Sequence, residues 1–476
     1  MKKIIYLIIP IFLAGCSNDF INLLPQSTVT IDLLYQTDKD FQDAVVGGYA
    51  VLQSQYQNMF VYGDIRADDA EVEMLKSDAW SEAERFVMSA TTGSISTTWR
   101  NYFTLISRVN LVLEKIEGVD PAVVRNKSRH IAEAKFLRAL AYFDLVRIYG
   151  DVPLLTVPIT ANEALKTPRT NVNAVYELIV SDLQDCEMDL PTSYSGSDVG
   201  RATRGAAKSL LGKVYLTRSD FAKAESKLQE VTIMGYSLLP DYNRLWDYTK
   251  DEHHSEYIFD IEYASGNNIS NGLSNNFVPN DTEFLRFHGI VGSSYEALAV
   301  SDELRALFDD HDTRKDVTVG LKGGWINGAG AFVIIPVGKN QTYTKKYIAS
   351  MPSERDSPAN WKVIRYADVL LMYAEALNEN GKTGEALTYL NMVRTRAGVY
   401  TYSGLSQSDT REAIYKERRL ELSYEGHRWF DLVRTGRAYE TMKDKGMRPY
   451  MILYPIPWSQ IQIVNDPTIL WQNEGY

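Results

Sequence analysis

Apolar residues return at steps of three and four over most of this chain, the spacing that lines one face of an α-helix. Phe41, Val45, Gly48 and Leu52 open a first helix, and Tyr102, Ile106, Val109, Leu113 and Ile116 mark a second that Gly118 and Pro121 stop. The stretch from Ala132 to Tyr149 is the most regular. There Ala134, Leu137, Ala141, Leu145 and Ile148 keep step, small residues allow close helix contact, and Gly150-Asp-Val-Pro153 ends the helix. Further on, Leu211-Gly212, Tyr215, Ser219 and Ala224 align at constant offset with Tyr373-Ala374, Leu377, Gly381 and Ala386. Each set reads as helix, tight turn, helix. Two copies of one unit predict stacked helix pairs, each burying its apolar face on the next, although two unrelated hairpins sharing small residues would look the same.

Between those units the helical period disappears. From about residue 240 to 358 the chain is rich in Asn, Gly, Ser and aromatics, as in Gly323-Gly-Trp325-Ile-Asn327-Gly-Ala-Gly330, and residues 257–263 alternate like a short strand. A length of 476 residues exceeds one ordinary core. The expected division is a signal (1–15), a tether (16–40), a helical scaffold in two parts (41–235 and 359–436), a loop-rich insertion (236–358) and a C-terminal segment (437–476). Long irregular insertions in compact proteins are usually functional or mobile. Ligand-binding residues are therefore sought in the insertion and in the loop after the first helix.

Lys2 and Lys3 precede an apolar run from Ile4 to Leu13, and Leu13-Ala14-Gly15-Cys16 forms a small-residue cleavage site ending in cysteine. The run is about half the roughly 20 residues that a spanning helix needs. Cleavage and lipid attachment at Cys16 are expected, which tethers the chain without crossing a bilayer. Cys16 and Cys186 are the only cysteines, so a lipidated Cys16 leaves no intramolecular disulfide, and Cys186, in helical step with Ile179 and Leu183, reads as a buried thiol. A net charge of −11 argues against nucleic acid, whose phosphates call for a basic patch. Tyrosine, at 30 residues, is the compositional outlier, and its amphipathic ring suits helix packing and polyol binding alike.

Residues 62–69, Tyr-Gly-Asp-Ile-Arg-Ala-Asp-Asp, lead to Asp78-Ala-Trp80-Ser-Glu-Ala-Glu-Arg85 and are expected to face solvent. A sugar needs an aromatic face for its C–H side and planar polar groups for its hydroxyls. Trp80, Trp325 and Tyr295 are the aromatic candidates, and Asp69, Arg85, Asn101 and Asn327 the polar ones. Trp246, Trp361, Trp429, Trp458 and Trp471 read as core, and Trp99, at the start of the second long helix, either anchors that start or protrudes toward the preceding loop. Catalytic and metal motifs are not found. No His-Glu-x-x-His or Gly-x-Ser-x-Gly occurs, residues 309–312 read as a solvated acidic turn, and the glycines near Trp325 lack the strand and helix of a phosphate loop. Glu417, Glu421, Glu425 and Arg428, with Arg418 nearby and His427 in the same group, share helical spacing and favour an ion-pair network; exposed pairs of this kind contribute about 0–1 kcal/mol each, and against the scaffold they would fix register.

Several of these stretches together are similar to one family. Phe136-Leu-Arg-Ala-Leu-Ala-Tyr-Phe-Asp-Leu-Val-Arg-Ile-Tyr-Gly-Asp-Val-Pro153, Thr167-Pro-Arg169, Tyr366-Ala-Asp-Val-Leu-Leu-Met-Tyr-Ala-Glu375, Glu417-Arg-Arg-Leu-Glu-Leu-Ser-Tyr-Glu425-Gly-His-Arg428-Trp-Phe-Asp431, Tyr454-Pro-Ile-Pro457 and the terminal Gln472-Asn-Glu-Gly-Tyr476 resemble the SusD/RagB nutrient-binding lipoproteins; Glu474 stands where proline is common. The resemblance implies a mostly α fold: a tetratricopeptide-like helix-pair superhelix with an irregular, loop-rich ligand-binding half containing a few short strands. It also implies non-catalytic glycan capture without a cofactor, lipid anchoring on the surface of the outer membrane, for which Ser17-Asn18-Asp19 resembles the export signal, and delivery to a SusC-like TonB-dependent transporter. A peptide- or protein-binding scaffold of the same fold and a surface glycoside hydrolase are the alternatives. The resemblance maps no pocket residue one by one.

Overall fold

Nine long helices carry the fold among the residues described by the computed structural model, which are 34–72, 78–250, 253–266, 269–294, 298–337, 339 and 341–476. Cys16 and Tyr295 lie outside them. The helices are α1 (Asp38–Tyr56), α2 (Gly93–Glu117), α3 (Lys127–Tyr149), α4 (Val172–Asp189), α5 (Arg204–Thr217), α6 (Phe221–Thr232), α7 (Tyr366–Glu379), α8 (Thr383–Arg396) and α9 (Gln407–Leu422). Thr37 starts α1 with a capping box: its hydroxyl oxygen accepts the Asp40 N–H, and the Asp40 carboxylate accepts the Thr37 N–H. α3 is buried on most of its surface between α1, α2 and α4, which its alanines permit. From there α4 packs on α5, α5 on α6, α6 on α7, and α7 on α8 and α9. The aligned units are the pairs α5–α6 and α7–α8. Their matching turn residues, Ser219 and Gly381, are both left-handed (φ 58° and 78°), and Gly212 lies so close to α6 that a Cβ there would sit 2.5 Å from Leu228.

Short helices and, among the described residues, eight short strands supply the rest, the strands in antiparallel pairs: β1 (Ala70–Glu71) with β5 (Ala299–Val300), β2 (Val152–Pro153) with β3 (Arg169–Thr170), β4 (Tyr257–Ile261) with β8 (Trp361–Arg365), and β6 (Gly324–Ile326) with β7 (Phe332–Ile334). One large apolar core runs through the scaffold. A smaller one, with Val278, Phe284, Leu285, Ile290, Trp325 and Tyr343, lies in the insertion.

The C-terminal motifs serve as fasteners. Arg169 donates to the carbonyls of Asp151 and Trp471 (both 2.7 Å) and to Asn473 Oδ1 (2.6 Å), while Asn473 donates to the carbonyls of Tyr149 (3.0 Å) and Tyr454 (2.7 Å). Two tryptophans depart from the core reading. Trp458 is 47% exposed and Trp471 is 37% exposed, the latter lying against the Arg169 guanidinium, 4.9 Å from its ring centroid. Trp99, Trp246, Trp361 and Trp429 are buried.

The larger correction concerns charge. Residues 62–69 do not face solvent: every one is buried. Gly63 crosses Gly426 so tightly that a Cβ would lie 2.4 Å from the Gly426 backbone, and Asp64 accepts the Gly426 N–H. Glu417, Glu421 and Glu425 are likewise buried, not surface-paired. Glu421 binds Arg365 (2.5 Å), Arg314 (2.9 Å) and Arg396; Glu417 binds Arg314 (2.7 Å) and Arg394 (2.6 Å); Glu425 binds Arg365 and Lys346 (both 2.7 Å). Glu256 bridges Arg365 (2.9 Å) and Arg396 (3.1 Å), and Asp312, read as part of a solvated turn, is buried on Arg314 (2.7 Å). Five carboxylates (256, 312, 417, 421, 425) thus meet five cations (314, 346, 365, 394, 396). Burial alone would raise the Glu421 pKa, but Arg396, Arg365 and Arg314 hold it well below the usual range. Arg428 leaves this group, binding Asp68 through two bonds (2.7 and 2.8 Å).

Removing one member of such a network strands its partners without water. Glu421→Ala is expected to lower stability by about 3–5 kcal/mol in urea denaturation, whereas Glu440→Ala, from the exposed pair with Lys443, should change it by less than about 1 kcal/mol.

Candidate functional site

Strand pairing brings two parts of the chain together. In β1–β5, Ala70 opposes Val300 and Glu71 opposes Ala299, so the segment leaving β1 toward Trp80 starts beside the segment that enters β5. Trp80 lies on the short helix Asp78–Glu84, half-buried, with its ring edge-on to Phe60 (centroids 5.3 Å). Phe60 meets Phe277 in the same way at 5.3 Å. Next to Phe277, the Asn275 amide donates to the carbonyls of Val291 and Ser293 (both 3.1 Å), and Ser294 donates back to the Asn275 carbonyl (3.1 Å). The Trp80 helix and the 291–294 loop are thereby tied to one aromatic row.

The β6–β7 hairpin forms a second surface. Its register pairs Trp325 with Val333 and Ile326 with Phe332, and opposed residues in an antiparallel pair point to the same face. Trp325 points inward: it is 4% exposed and packs edge-on to Phe284 (5.5 Å). Ile326, Phe332 and Ile334 point outward. Phe332, 52% exposed, has its ring edge over Gly324, where a Cβ would lie 2.3 Å from the ring. Phe287, 51% exposed, lies beside Gly328 and 5.1 Å from the Trp325 centroid. The hairpin is thus stiffened from beneath by the small core and presents Phe332 and two isoleucines to solvent, while exposed Phe287, on the helix Thr282–Phe287, packs beside it against Trp325. Thr342 accepts the Val300 N–H (3.1 Å) and the Tyr343 hydroxyl donates to the Gly324 carbonyl (3.2 Å), which joins the hairpin to β5.

The sequence candidates separate accordingly. Trp80 lies at the first surface. Trp325 is buried beneath the second, so its ring offers no face to a ligand. Asn327 accepts the N–H groups of Ala329 (3.0 Å) and Ala331 (2.9 Å) and forms the hairpin turn. Asp69 is buried on Arg419 (2.6 Å), because the segment read as a solvated loop packs beneath α9. Asn101 donates to Gln55 (3.2 Å) and is used in the contact between α2 and α1. Arg85 is exposed, with its Nε on the Ser81 carbonyl (3.2 Å). Phe287 and Phe332 were missed by the sequence reading. Alternation on either side of Asn327-Gly-Ala-Gly330 is a hairpin signal that would have set Trp325 and Phe332 on opposite faces.

Comparison with known proteins gives consistent relatives. Residues 323–450 match the model of the SusD family, and residues 19–216 match the model described as starch-binding associating with outer membrane. SusD-like protein P25 of Formosa agariphila is 28% identical over 100% of this chain and 99% of its own length. The starch-binding protein SusD of Bacteroides thetaiotaomicron is 24% identical over 78% of this chain and 76% of its own. Among solved structures, a laminarin-binding SusD-like protein superposes with a TM-score of 0.78 at 29% identity, covering 93% of this chain and 100% of that one.

Among the described residues, no group of three His, Cys, Asp or Glu side chains could hold a metal ion. His427 is buried, and Lys213, which also binds Asp368 (3.1 Å), donates to its Nδ1 (3.1 Å). Burial first, and the Lys213 cation second, push the His427 pKa down to about 3. The folded ring therefore stays neutral while the unfolded chain takes up a proton below about pH 6.5. More protons are bound by the unfolded state in that window, so this contribution to stability is full above pH 6.5 and is lost as pH falls toward 3. Relative to His427→Gln, the wild type should lose up to roughly 1.4 kcal/mol per pH unit between pH 6 and 4, read from urea midpoints across that range.

Proposed function

The chain belongs to the SusD/RagB family, and from that premise we propose that it is a non-catalytic surface protein that captures glycans at the outer membrane and passes them to a TonB-dependent transporter. The observation that carries the binding part is a pair of exposed rings at the β6–β7 hairpin, Phe332 on its outward face and Phe287 beside it on Trp325. Half-exposed Phe332 and Phe287 rings, backed by the Trp325 core, offer pre-positioned flat apolar surface on the insertion. Sugar rings stack their C–H faces on such surface and lose little to reordering the protein. Trp80, on its row with Phe60 and Phe277, is a third stacking ring. Arg85, exposed at the end of the Trp80 helix, supplies a hydroxyl partner in this reading.

Two further parts rest on the chain's beginning and on the family. Acylation at Cys16 would hold the protein at the membrane. Transfer to the transporter rests on the family role alone.

Laminarin is the first ligand to try, because a relative at 29% identity is a laminarin-binding protein. In calorimetry against a panel of polysaccharides, one or more should bind, and Phe332→Ala, Phe287→Ala or Trp80→Ala should each weaken binding by about tenfold, near 1.4 kcal/mol. Tyr400→Ala, which removes an exposed ring on the scaffold, should leave affinity unchanged. Shorter oligosaccharides appearing with the purified protein alone would contradict the non-catalytic reading. Peptide binding with no glycan binding would replace the ligand class.

A further inference from the structure

A cavity of about 300 Å³ opens where three parts of the chain meet: the loop from α4 to α5, the turn after α6 and the residues that enter β4. Its walls are held before any ligand arrives. Buried Arg201 donates to both carboxylate oxygens of Glu133 on α3 (3.3 and 3.4 Å) and pairs with Asp198 (3.2 Å). The Ala202 N–H donates to the Tyr49 hydroxyl of α1 (3.0 Å), and the Arg204 N–H to the Pro191 carbonyl (2.8 Å), so the α4–α5 loop is fixed at both ends. The Ser237 N–H donates to the Ser255 carbonyl (3.0 Å) and the Ser255 hydroxyl to the Ser237 carbonyl (3.1 Å), which joins the chain after α6 to the approach to β4. None of the proposed stacking rings lines this cavity.

The lining combines aromatic carbon with neutral polar groups. Tyr194, Tyr236 and Tyr257 all border the space and all are partly exposed. The Tyr236 hydroxyl stands over Gly205, where a Cβ would collide with it, and its ring is backed by Tyr366 (centroids 6.1 Å). Tyr257 has its hydroxyl oxygen sealed from solvent, so it offers carbon and not a polar atom, and His253 lies edge-on to its ring (centroids 5.0 Å). Thr192 and Ser193 are exposed in the same lining and spend no hydroxyl on another described residue. The titratable groups, by contrast, are already engaged. Arg201 is matched by Glu133 and Asp198, the His253 Nε2 is paired with Glu262 (3.0 Å), and the His254 Nδ1 accepts the Glu256 N–H (3.2 Å). An ionic ligand finds no counter-charge to spare here, and an apolar one would strand the hydroxyls and imidazoles without partners.

We propose that this cavity is a second glycan site, separate from the exposed rings, and that it takes a neutral mono- or disaccharide or the end of a longer chain. Aromatic carbon covers the C–H side of a sugar while neutral hydroxyls and imidazoles bond its own hydroxyls. Size sets the length. At about 300 Å³ the cavity is at the lower limit of small-ligand sites, which run from about 300 to 1,000 Å³, so a short ligand fills it. The rings at the β6–β7 hairpin instead offer an open surface suited to a long chain. The inference extends the glycan-capture reading but fails apart from it, because the two sites share no residue.

Saturation-transfer NMR on the full-length protein with glucose, galactose, mannose, cellobiose, maltose and laminaribiose, followed by titration of whichever bind, tests the site. At least one of these sugars is expected to bind, and Thr192→Trp, which fills the mouth from an exposed position, to weaken that binding by about tenfold or more. The same sugar should still bind Phe332→Ala with wild-type affinity, and glucuronate should bind more weakly than glucose. Ser193→Trp replaces Thr192→Trp should the latter lower the unfolding temperature. No binding by any of the sugars, binding that survives the tryptophan in a folded variant, or binding lost in Phe332→Ala overturns the second site, and a preference for glucuronate overturns its neutral class. Polysaccharide binding that depends on Phe332 stands in each of these cases.

Discussion

Ten buried charges hold the two halves of this protein in register. The scaffold contributes Arg365, Arg394, Arg396 and the glutamates at 417, 421 and 425, and the irregular half contributes Glu256, Asp312, Arg314 and Lys346. With no water to fill a gap, each charge requires its partners in place, so the network tolerates few relative positions of the two halves. Such a network adds little net stability over an apolar core of equal volume. Its contribution is to geometry. An insertion with short elements and many loops gains a fixed orientation that its own small core could not impose.

That fixed orientation underlies the functional reading. Of the stacking rings, Phe332 is carried on a three-residue strand pair and Trp80 and Phe287 on helices of two turns or fewer, short elements that would wander if the insertion rocked on the scaffold. Tied at β1–β5, at β4–β8 and through the charges, the insertion can present Phe287, Phe332 and Trp80 already ordered, which lowers the entropy lost on binding a flexible polysaccharide. Recognition and family identity reside in different residues. The motifs that mark the family pair with each other, as Arg169 does with Asn473 and Arg418 with Asp368.

The helical half was legible because periodicity and small residues report burial directly. Ala134 to Ile148 and the matched Ser219 and Gly381 turns fall where spacing puts them. Charge was not legible. Glu421 at helical steps from Glu417 and Glu425 looks the same whether its face meets water or the arginines of a distant segment, and only the partners, 56 positions away for Arg365 and 107 for Arg314, decide it. The same blindness misplaced Asp69, a polar residue in a polar-looking segment that packs beneath α9. Trp325 failed for another reason: tryptophan in turn-rich sequence suggests exposure, but pleating turns alternate residues of a hairpin to opposite faces, and the smaller Phe332 took the outer one. Trp458 and Trp471 erred in the opposite sense, since apolar neighbours near a chain end need not be covered.

Native-state hydrogen exchange on Arg314→Met tests the claim that buried charge orients the insertion. Arg314 joins Asp312 of the insertion to Glu417 and Glu421 of α9. Exchange should accelerate in residues 302–319 and 341–349, while α2 and α3 retain wild-type protection. Unchanged exchange in those segments, or a loss spread evenly through α2 and α3, would contradict the account.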